Sequence, residues 1–175
     1  MDKKQKAEYL AVARLGAVRG LEGEIKLHSY SGEFSHIEKA GEIMLGGEAG
    51  LEDARPIRIV QFLQGGWGAS VIFEGFDTPE KARTLVGHEL FLSREKACPL
   101  RPHEYYVADL VGMTATVNGL AIGVIAAVLD GGADALLEVK RDSGGSALVP
   151  FRKEFVGEID EEKGELEILS SWILE

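Results

Sequence analysis

The residues that could carry chemistry in this sequence are dispersed, and none of them forms a recognisable catalytic set. Glu161 and Glu162 lie in an acidic segment typical of a solvated turn, and Cys98 has no nucleophile signature around it. The histidines do not follow H-E-x-x-H or any comparable metal-ligand spacing; they are His28, His36, His88 and His103. We therefore predict a binding or assembly protein that is not an enzyme and holds no metal and no cofactor.

Residues 104–112 stand out because they contain two adjacent tyrosines, Tyr105 and Tyr106, followed by Asp109. Neighbouring side chains point to opposite faces on a strand and lie about 100° apart in a helical turn. We therefore predict that one tyrosine packs at the entrance to a domain while the other is partly exposed. Asp109 is expected to accept hydrogen bonds from nearby backbone amides or from a tyrosine hydroxyl. From the pattern alone, packing is favoured over partner binding.

A glycine-rich segment, residues 16–23, lies between two predicted strands, and we interpret it as a loop. Phosphate-binding loops need a helix after the glycines, because the helix N-terminus supplies the amide donors. A strand follows here, so a nucleotide site is not expected. Basic side chains surround the predicted loop and form a modest basic spot; they are Arg14, Arg19, Lys26 and His28.

The charge of the chain is distributed unevenly. The formal net charge of the 175 residues is −10. Residues 1–97 carry 13 basic and 15 acidic side chains, whereas residues 98–175 carry 6 basic and 14 acidic ones. An acidic surface repels phosphate backbones and attracts basic proteins. The second half therefore favours a basic protein partner over nucleic acid.

Composition also restricts the compartment. A single cysteine excludes an internal disulfide framework and is typical of a reducing cytosol. No apolar run approaches the length of a membrane span, and the basic N-terminal residues have no apolar segment behind them as a secretory signal would. We predict a cytoplasmic protein with no membrane contact.

The first half reads as short strands with a single short helix. The helix follows Asp77, which we predict as its N-cap, and ends at Gly87. The predicted strands cover residues 9–15, 24–30, 43–45, 55–63, 68–73 and 89–93. Six strands of this length predict a small β-barrel over residues 1–97.

A connector at residues 98–103, stiffened by Pro99 and Pro102, leads to a second group of strands. Asn118-Gly119 is a strong hairpin signal, and Trp172 and Ile173 are expected to pack the C-terminus. The predicted strands cover residues 113–117, 121–129, 135–139, 146–149 and 165–169. The fold class is therefore all-β with one short helix, as two small barrels, the second over residues 104–175.

Several segments together resemble the RimM-type ribosome maturation factors over nearly the whole chain. Residues 16–26, with Arg19 and the glycines, are similar to the amino-terminal signature of that family. The segment with Tyr105, Tyr106, Asp109, Leu110 and Gly112 resembles the start of its carboxy-terminal PRC-like barrel. Further pieces follow in the order of that barrel: Asn118-Gly119, Gly123, residues 132–134 and residues 148–151.

The resemblance implies a translation-factor-like barrel followed by a PRC-like barrel, without catalytic activity. It implies a monomer that binds the small-subunit ribosomal protein numbered nineteen on the pre-30S particle, assisting head assembly and 16S rRNA processing. The partner-binding residues would be Tyr105, Tyr106, Asp109 and Leu110. Limited rRNA contact would involve Arg14, Arg19, Lys26 and His28.

The sequence departs from the family at a few positions, and other classes remain open. Glu22 and Ala17 stand where the family commonly carries basic residues, which weakens an RNA contact at the glycine segment. Val107 stands where an aromatic residue is frequent. The alternatives are an enzyme or a barrel that binds a flavin or nucleotide, and a PRC-type scaffold unrelated to ribosomes.

Overall fold

The computed structural model describes residues 6–174 and divides them into two units. One unit is Glu8–Pro99; the other comprises residues 100–174 together with Lys6 and Ala7. Each is all-β apart from short helical turns, as the sequence pattern predicts. No helix in this described range is long and apolar enough to cross a membrane.

The first unit is a closed six-stranded barrel with the strand order β1-β2-β5-β4-β3-β6, in which every pair of neighbouring strands is antiparallel. The elements are β1 (Tyr9–Arg19), β2 (Glu24–Ser29), α1 (Ser35–Glu38), β3 (Glu42–Gly47), β4 (Gly50–Gly65), β5 (Gly68–Phe73), α2 (Pro79–Arg83), β6 (Glu89–Ser93) and a 3₁₀ turn at Arg94–Lys96. In β2, Ile25 and Leu27 are buried while His28 is exposed. This alternation places one face of each strand in the barrel core and the other face outside.

The second unit is a six-stranded sheet with the order β10-β9-β8-β7-β12-β11. Its elements are α3 (Val107–Leu110), β7 (Thr114–Val117), β8 (Leu120–Asp130), β9 (Ala135–Arg141), β10 (Ser146–Pro150), β11 (Val156–Asp160), β12 (Glu165–Ile168) and a 3₁₀ turn at Ser171–Leu174. Every strand contributes a buried side chain to one hydrophobic core, so the sheet must curl around it.

The turn predicted at Asn118-Gly119 in the second unit is confirmed. Asn118 and Gly119 have φ values of 51° and 77° and join β7 to β8, as a two-residue hairpin turn with positive φ at both positions requires. Pro150 ends β10, which lies at an edge of the sheet, because proline has no amide hydrogen to donate to a further strand.

Two predictions in the first unit are wrong. Gly16 lies within β1, opposite the side chain of His28, so the β1–β2 turn begins only after Arg19. The N-cap of α2 is Thr78, whose hydroxyl accepts a hydrogen bond from the Lys81 amide at 3.4 Å. Asp77 instead accepts a hydrogen bond from the ammonium of Lys81 at 2.7 Å, one helical turn further along. Asp77 and Thr78 can both cap a helix, and in the structure the N-cap is Thr78, one residue later than predicted.

The second unit also contains elements that the sequence pattern did not predict. The residues after the tyrosines form the single turn α3, and β11 was missed because a bulge between Val156 and Ile159 breaks its alternation. Trp172 does not pack the C-terminus as predicted, since 65% of the residue is exposed. Ile173 does pack against the core.

We expect Gly23→Ala to destabilise the first unit more than Gly20→Ala does, although both glycines lie in the β1–β2 turn with positive φ. Alanine at such a φ costs roughly 1–2 kcal/mol. A Cβ on Gly20 meets nothing within 4 Å, whereas a Cβ on Gly23 would overlap the carbonyl of Phe76. The Gly23 variant should therefore lose roughly 2–5 kcal/mol in denaturant unfolding. Equal losses for the two variants would contradict this account.

Candidate functional site

The tyrosine pair leads directly into α3 in the second unit. Tyr106 is the N-cap residue, with extended backbone angles φ −74° and ψ 137°. Its carbonyl oxygen accepts hydrogen bonds from the amides of Asp109 at 2.9 Å and Leu110 at 3.3 Å, and these bonds start the helical turn. Because the backbone is extended at Tyr106, the two rings project in different directions.

Tyr105 is the more clearly packed of the two tyrosines. Its ring packs against the hydrophobic core of the second unit. It also meets the ring of Phe151 edge to face, with centroids 6.2 Å apart and planes at 82°. Both tyrosines nevertheless keep part of their surface accessible, and neither ring is fully buried. The prediction distinguished one packed ring from one partly exposed ring, whereas both rings are partly buried in the structure.

The other two predicted contact residues, Asp109 and Leu110, are buried, with 5% and 2% of their surface exposed. Leu110 belongs to the hydrophobic core, so as placed it cannot touch a partner directly and instead holds α3 against the sheet. Asp109 lines a small depression with Met113, beside the ion pair between the Lys6 ammonium and the Glu161 carboxylate. Only the tyrosines of the predicted set offer substantial surface.

A shallow depression of about 130 Å³ lies in the same unit and was not predicted. It is lined by Gly131, Ala133, Asp134, Leu136, Pro150, Arg152 and Phe155. Residues 132–134 and 148–151 carried part of the family resemblance, but the sequence assigned them no role. The two segments are far apart in the sequence, so the sequence alone does not reveal the depression. It forms because β9 and β10 pair, with Leu136 opposite Pro150.

An ion pair stands at the rim of this depression. The Arg152 guanidinium donates from Nε to Oδ2 of Asp134 at 2.7 Å, and its Nη2 also contacts the same oxygen. The hydrogen bond to Asp134 and the charge of that carboxylate raise the pKa of Arg152 above its ordinary value. The rim is thus locally neutralised, and the floor is apolar.

The ring of Phe155 extends this apolar surface outward. It meets the exposed ring of Trp172 in an edge-on contact, with centroids 6.3 Å apart and planes at 71°. Residues 150–155 therefore connect the depression to Tyr105 through Phe151 and to Trp172 through Phe155. We refer to these two ring pairs, Tyr105 with Phe151 and Phe155 with Trp172, as the aromatic row.

The four predicted basic residues of the first unit do lie together, on the outer faces of the paired strands β1 and β2. Arg14 stands opposite His28 and Arg19 opposite Glu24, while Lys26 pairs with Ser70 of β5. Arg14 Nε donates to the carbonyl of Gly87 at 3.1 Å. The structure therefore brings the predicted residues together on one exterior surface.

Acidic side chains on the same surface limit its positive character. Glu24 accepts a hydrogen bond from the Ser70 hydroxyl, and Glu89 accepts one from the Tyr30 hydroxyl. Burial, followed by the hydrogen bond to Glu89, raises the pKa of Tyr30 well above its ordinary value, so this phenol stays neutral at physiological pH. The surface is mixed in charge rather than strongly basic.

Trp67 is a further residue of this surface that the sequence did not single out. It lies in the two-residue turn between β4 and β5, and 45% of it is exposed. The guanidinium carbon of Arg19 lies 4.1 Å from the centroid of its ring, a cation–π arrangement. The only advance signal was an aromatic residue among glycines in a predicted loop.

The part of the chain that the structure describes contains no group of three histidine, cysteine, aspartate or glutamate side chains able to hold a metal ion. The side chains that the structure does bring together are aromatic and apolar in the second unit, and basic, acidic and aromatic in the first.

Both units match models of known protein families. The model described as the RimM N-terminal domain matches residues 10–97, and the model described as the RimM PRC barrel domain matches residues 107–174. The ribosome maturation factor RimM of Treponema pallidum is 36% identical over 172 residues, covering 93% of this chain and 99% of the relative. The corresponding Treponema denticola protein is 35% identical over 184 residues, covering 96% and 99%. A solved RimM structure from Pseudomonas aeruginosa has a TM-score of 0.45 and 24% identity, covering 93% of this chain and 97% of that chain.

We expect Tyr105→Ala to destabilise the second unit more than Tyr106→Ala does, because the Tyr105 ring packs against the core and Phe151. A half-buried ring should cost roughly 1–3 kcal/mol, less than the 3–5 kcal/mol of a fully buried one. Tyr105→Phe keeps the ring and should stay within about 0.5 kcal/mol of the wild type. Thermal and denaturant unfolding of the three variants measure this. A larger loss for Tyr106→Ala would reverse the assigned roles.

Proposed function

Because this chain belongs to the RimM family of ribosome maturation factors, we propose that it binds the immature small ribosomal subunit and assists 16S rRNA processing and head assembly. The observation that carries the proposal is the match of both RimM domain models, in order, over most of the chain. The role takes place in the cytoplasm, with the protein acting as a monomer.

The protein partner in this proposal is the small-subunit ribosomal protein numbered nineteen, bound through the second unit. Ribosomal proteins that contact rRNA are basic, and residues 98–175 carry eight more acidic than basic side chains. Opposite potentials speed encounter and set the register of a complex. Tyr106, half-buried on an extended backbone, supplies an aromatic contact of the kind enriched among interface hot spots.

We assign a smaller role to the first unit, which makes a limited contact with rRNA through Arg14, Arg19, Lys26 and His28. Their common exterior face supports the assignment. Glu24 and Glu89 on the same face restrict it, since acidic groups repel phosphates. Trp67 adds an exposed ring on which a base could stack.

The proposed role involves no catalytic step. Its contact residues are tyrosines in the second unit and basic side chains in the first, and they act by adding binding free energy to one state of the assembling particle. A maturation factor of this kind speeds assembly by stabilising a fold of the subunit head that the later proteins require.

Sedimentation through sucrose gradients tests the proposal. The purified protein should comigrate with 30S precursors but not with mature 70S particles, because its binding site on the subunit head would be accessible only during assembly. A strain lacking the protein should accumulate unprocessed 16S rRNA. Equal comigration with precursors and mature 70S particles, together with normal rRNA processing, would refute the proposal.

We expect Tyr106→Ala to weaken binding to ribosomal protein nineteen by roughly 2 kcal/mol, about 30-fold in Kd, because it removes a partly accessible aromatic contact. Tyr105→Phe is the matched control and should bind within about twofold of the wild type, since it keeps the packed ring. Calorimetric titration at fixed ionic strength measures both. Unchanged affinity in the Tyr106 variant would show that Tyr106 does not contact the partner.

A second expected outcome follows from the charge of the second unit. The association rate with ribosomal protein nineteen should fall steadily as salt rises from about 50 to 300 mM, because the screening length shortens from well above to below roughly 10 Å. Stopped-flow mixing at several salt concentrations measures the rate. An association rate independent of salt would show that the acidic surface does not steer the encounter.

A further inference from the structure

The depression between residues 131–136 and residues 150–155 has a size that restricts what it can hold. Its volume is about 130 Å³. Sites for drug-sized ligands and cofactors span roughly 300–1,000 Å³. An apolar cavity of about 150 Å³ is large enough for benzene. The depression is therefore too small for a cofactor and matches one aromatic ring or one branched aliphatic side chain.

Its lining suits an apolar group. Leu136, Pro150 and Phe155 present apolar surface, and Ala133 leaves space at the edge because its side chain is only a methyl group. The polar side chains at the rim, Asp134 and Arg152, satisfy each other in an ion pair. An entering side chain would therefore displace water from apolar surface without leaving either charge unpaired.

The depression is part of a longer surface rather than an isolated hollow. Phe155 lines it and also contacts the exposed ring of Trp172. Pro150 lines it and precedes Phe151, whose ring meets Tyr105. A segment that inserted a side chain here would lie alongside the aromatic row. Trp172 is exposed and the other three rings keep part of their surface accessible. Aromatic side chains are enriched where proteins bind polypeptides.

Charge selects the class of that polypeptide. Asp130 lies in the turn beside the depression, where its carboxylate accepts a hydrogen bond from the Gly132 amide. Glu154 is close enough to Arg152 to help raise the pKa of that guanidinium. Residues 98–175, which include most of the unit, carry 14 acidic and 6 basic side chains. A basic chain matches these surroundings.

We propose that the depression is an anchor pocket for one aromatic or branched aliphatic side chain of a basic polypeptide bound across the second unit. Trp172, through its contact with Phe155, extends the apolar surface beside the pocket. Basic residues that flank the inserted side chain in the partner meet Asp130, Glu154 and the other acidic groups. This inference rests on the proposed function and deepens it, because it locates the part of the partner surface that the tyrosines alone do not supply.

Two substitutions test the pocket directly, with ribosomal protein nineteen as the probe. Ala133→Leu fills the depression, and Trp172→Ala removes the exposed ring that contacts Phe155 beside it. Each should raise Kd at least about tenfold, the loss expected for a buried anchor or an interfacial tryptophan. Because neither changes charge, the salt dependence of the association rate should remain that of the wild type, and the loss should appear as faster dissociation.

Matched controls separate this effect from general disturbance. Ala133→Ser leaves the depression open and should bind within about twofold of the wild type. Leu120→Ala removes another exposed apolar side chain of the same unit, at the β7–β8 hairpin, and should also leave Kd unchanged. Thermal unfolding of each variant identifies any loss of fold. If Ala133→Leu unfolds, Trp172→Ala decides the outcome, since its exposed ring contributes little to the core.

The outcomes distinguish the two proposals. If the wild type does not bind ribosomal protein nineteen, the proposed partner is wrong and the pocket assignment falls with it. If the wild type and both pocket variants bind equally well while Tyr106→Ala binds weakly, the proposed function stands and the anchor pocket is overturned. A dimer of the wild type that Ala133→Leu abolishes would assign the depression to a second copy of this chain, which also overturns the inference.

Discussion

The burial of Leu110 in the core of the second unit is the interaction on which its contact surface depends. With 2% of its surface exposed, Leu110 holds the single turn α3 against the curled sheet. One turn of helix has too few hydrogen bonds to stand alone, so this packing must stabilise it. The position of α3 in turn determines where Tyr106 begins the helix and where the Tyr105 ring meets Phe151. Packing in the core thereby presents the aromatic surface outside it.

The two units differ in the charge that they carry. In the proposed function, the acidic side chains of the second unit and its accessible aromatic rings, of which Trp172 is the most exposed, suit a basic protein partner. The first unit carries basic side chains on the outer faces of β1 and β2, but Glu24 and Glu89 lie among them. Such a surface can contact rRNA locally without binding it tightly, because nucleic-acid affinity grows with the number of phosphates neutralised.

Side-chain alternation accounts for most of the fold that the sequence predicted. Ile25 and Leu27 alternate with polar neighbours in β2, and Asn118-Gly119 requires a turn with positive φ at both positions. Both signals are local, so six strands and a barrel could be predicted for the first unit. The same reasoning failed for β11, where a bulge breaks the alternation, and for Gly16, whose place in β1 depends on the neighbouring strand. The predicted N-cap of α2 was wrong by one residue, because Asp77 and Thr78 can both act as a helix N-cap.

The sequence by itself determined the all-β class, the charge asymmetry and the adjacency of Tyr105 and Tyr106, since these follow from composition, alternation and order along the chain. Only the tertiary structure decided that Leu110 and Asp109 are buried while the tyrosines keep accessible surface. It also decided that Asp134 meets Arg152, and that Phe155 lies between the depression and Trp172. These contacts join residues up to eighteen positions apart. They depend on how β9, β10 and the chain terminus come together around one core, and no local pattern encodes that arrangement.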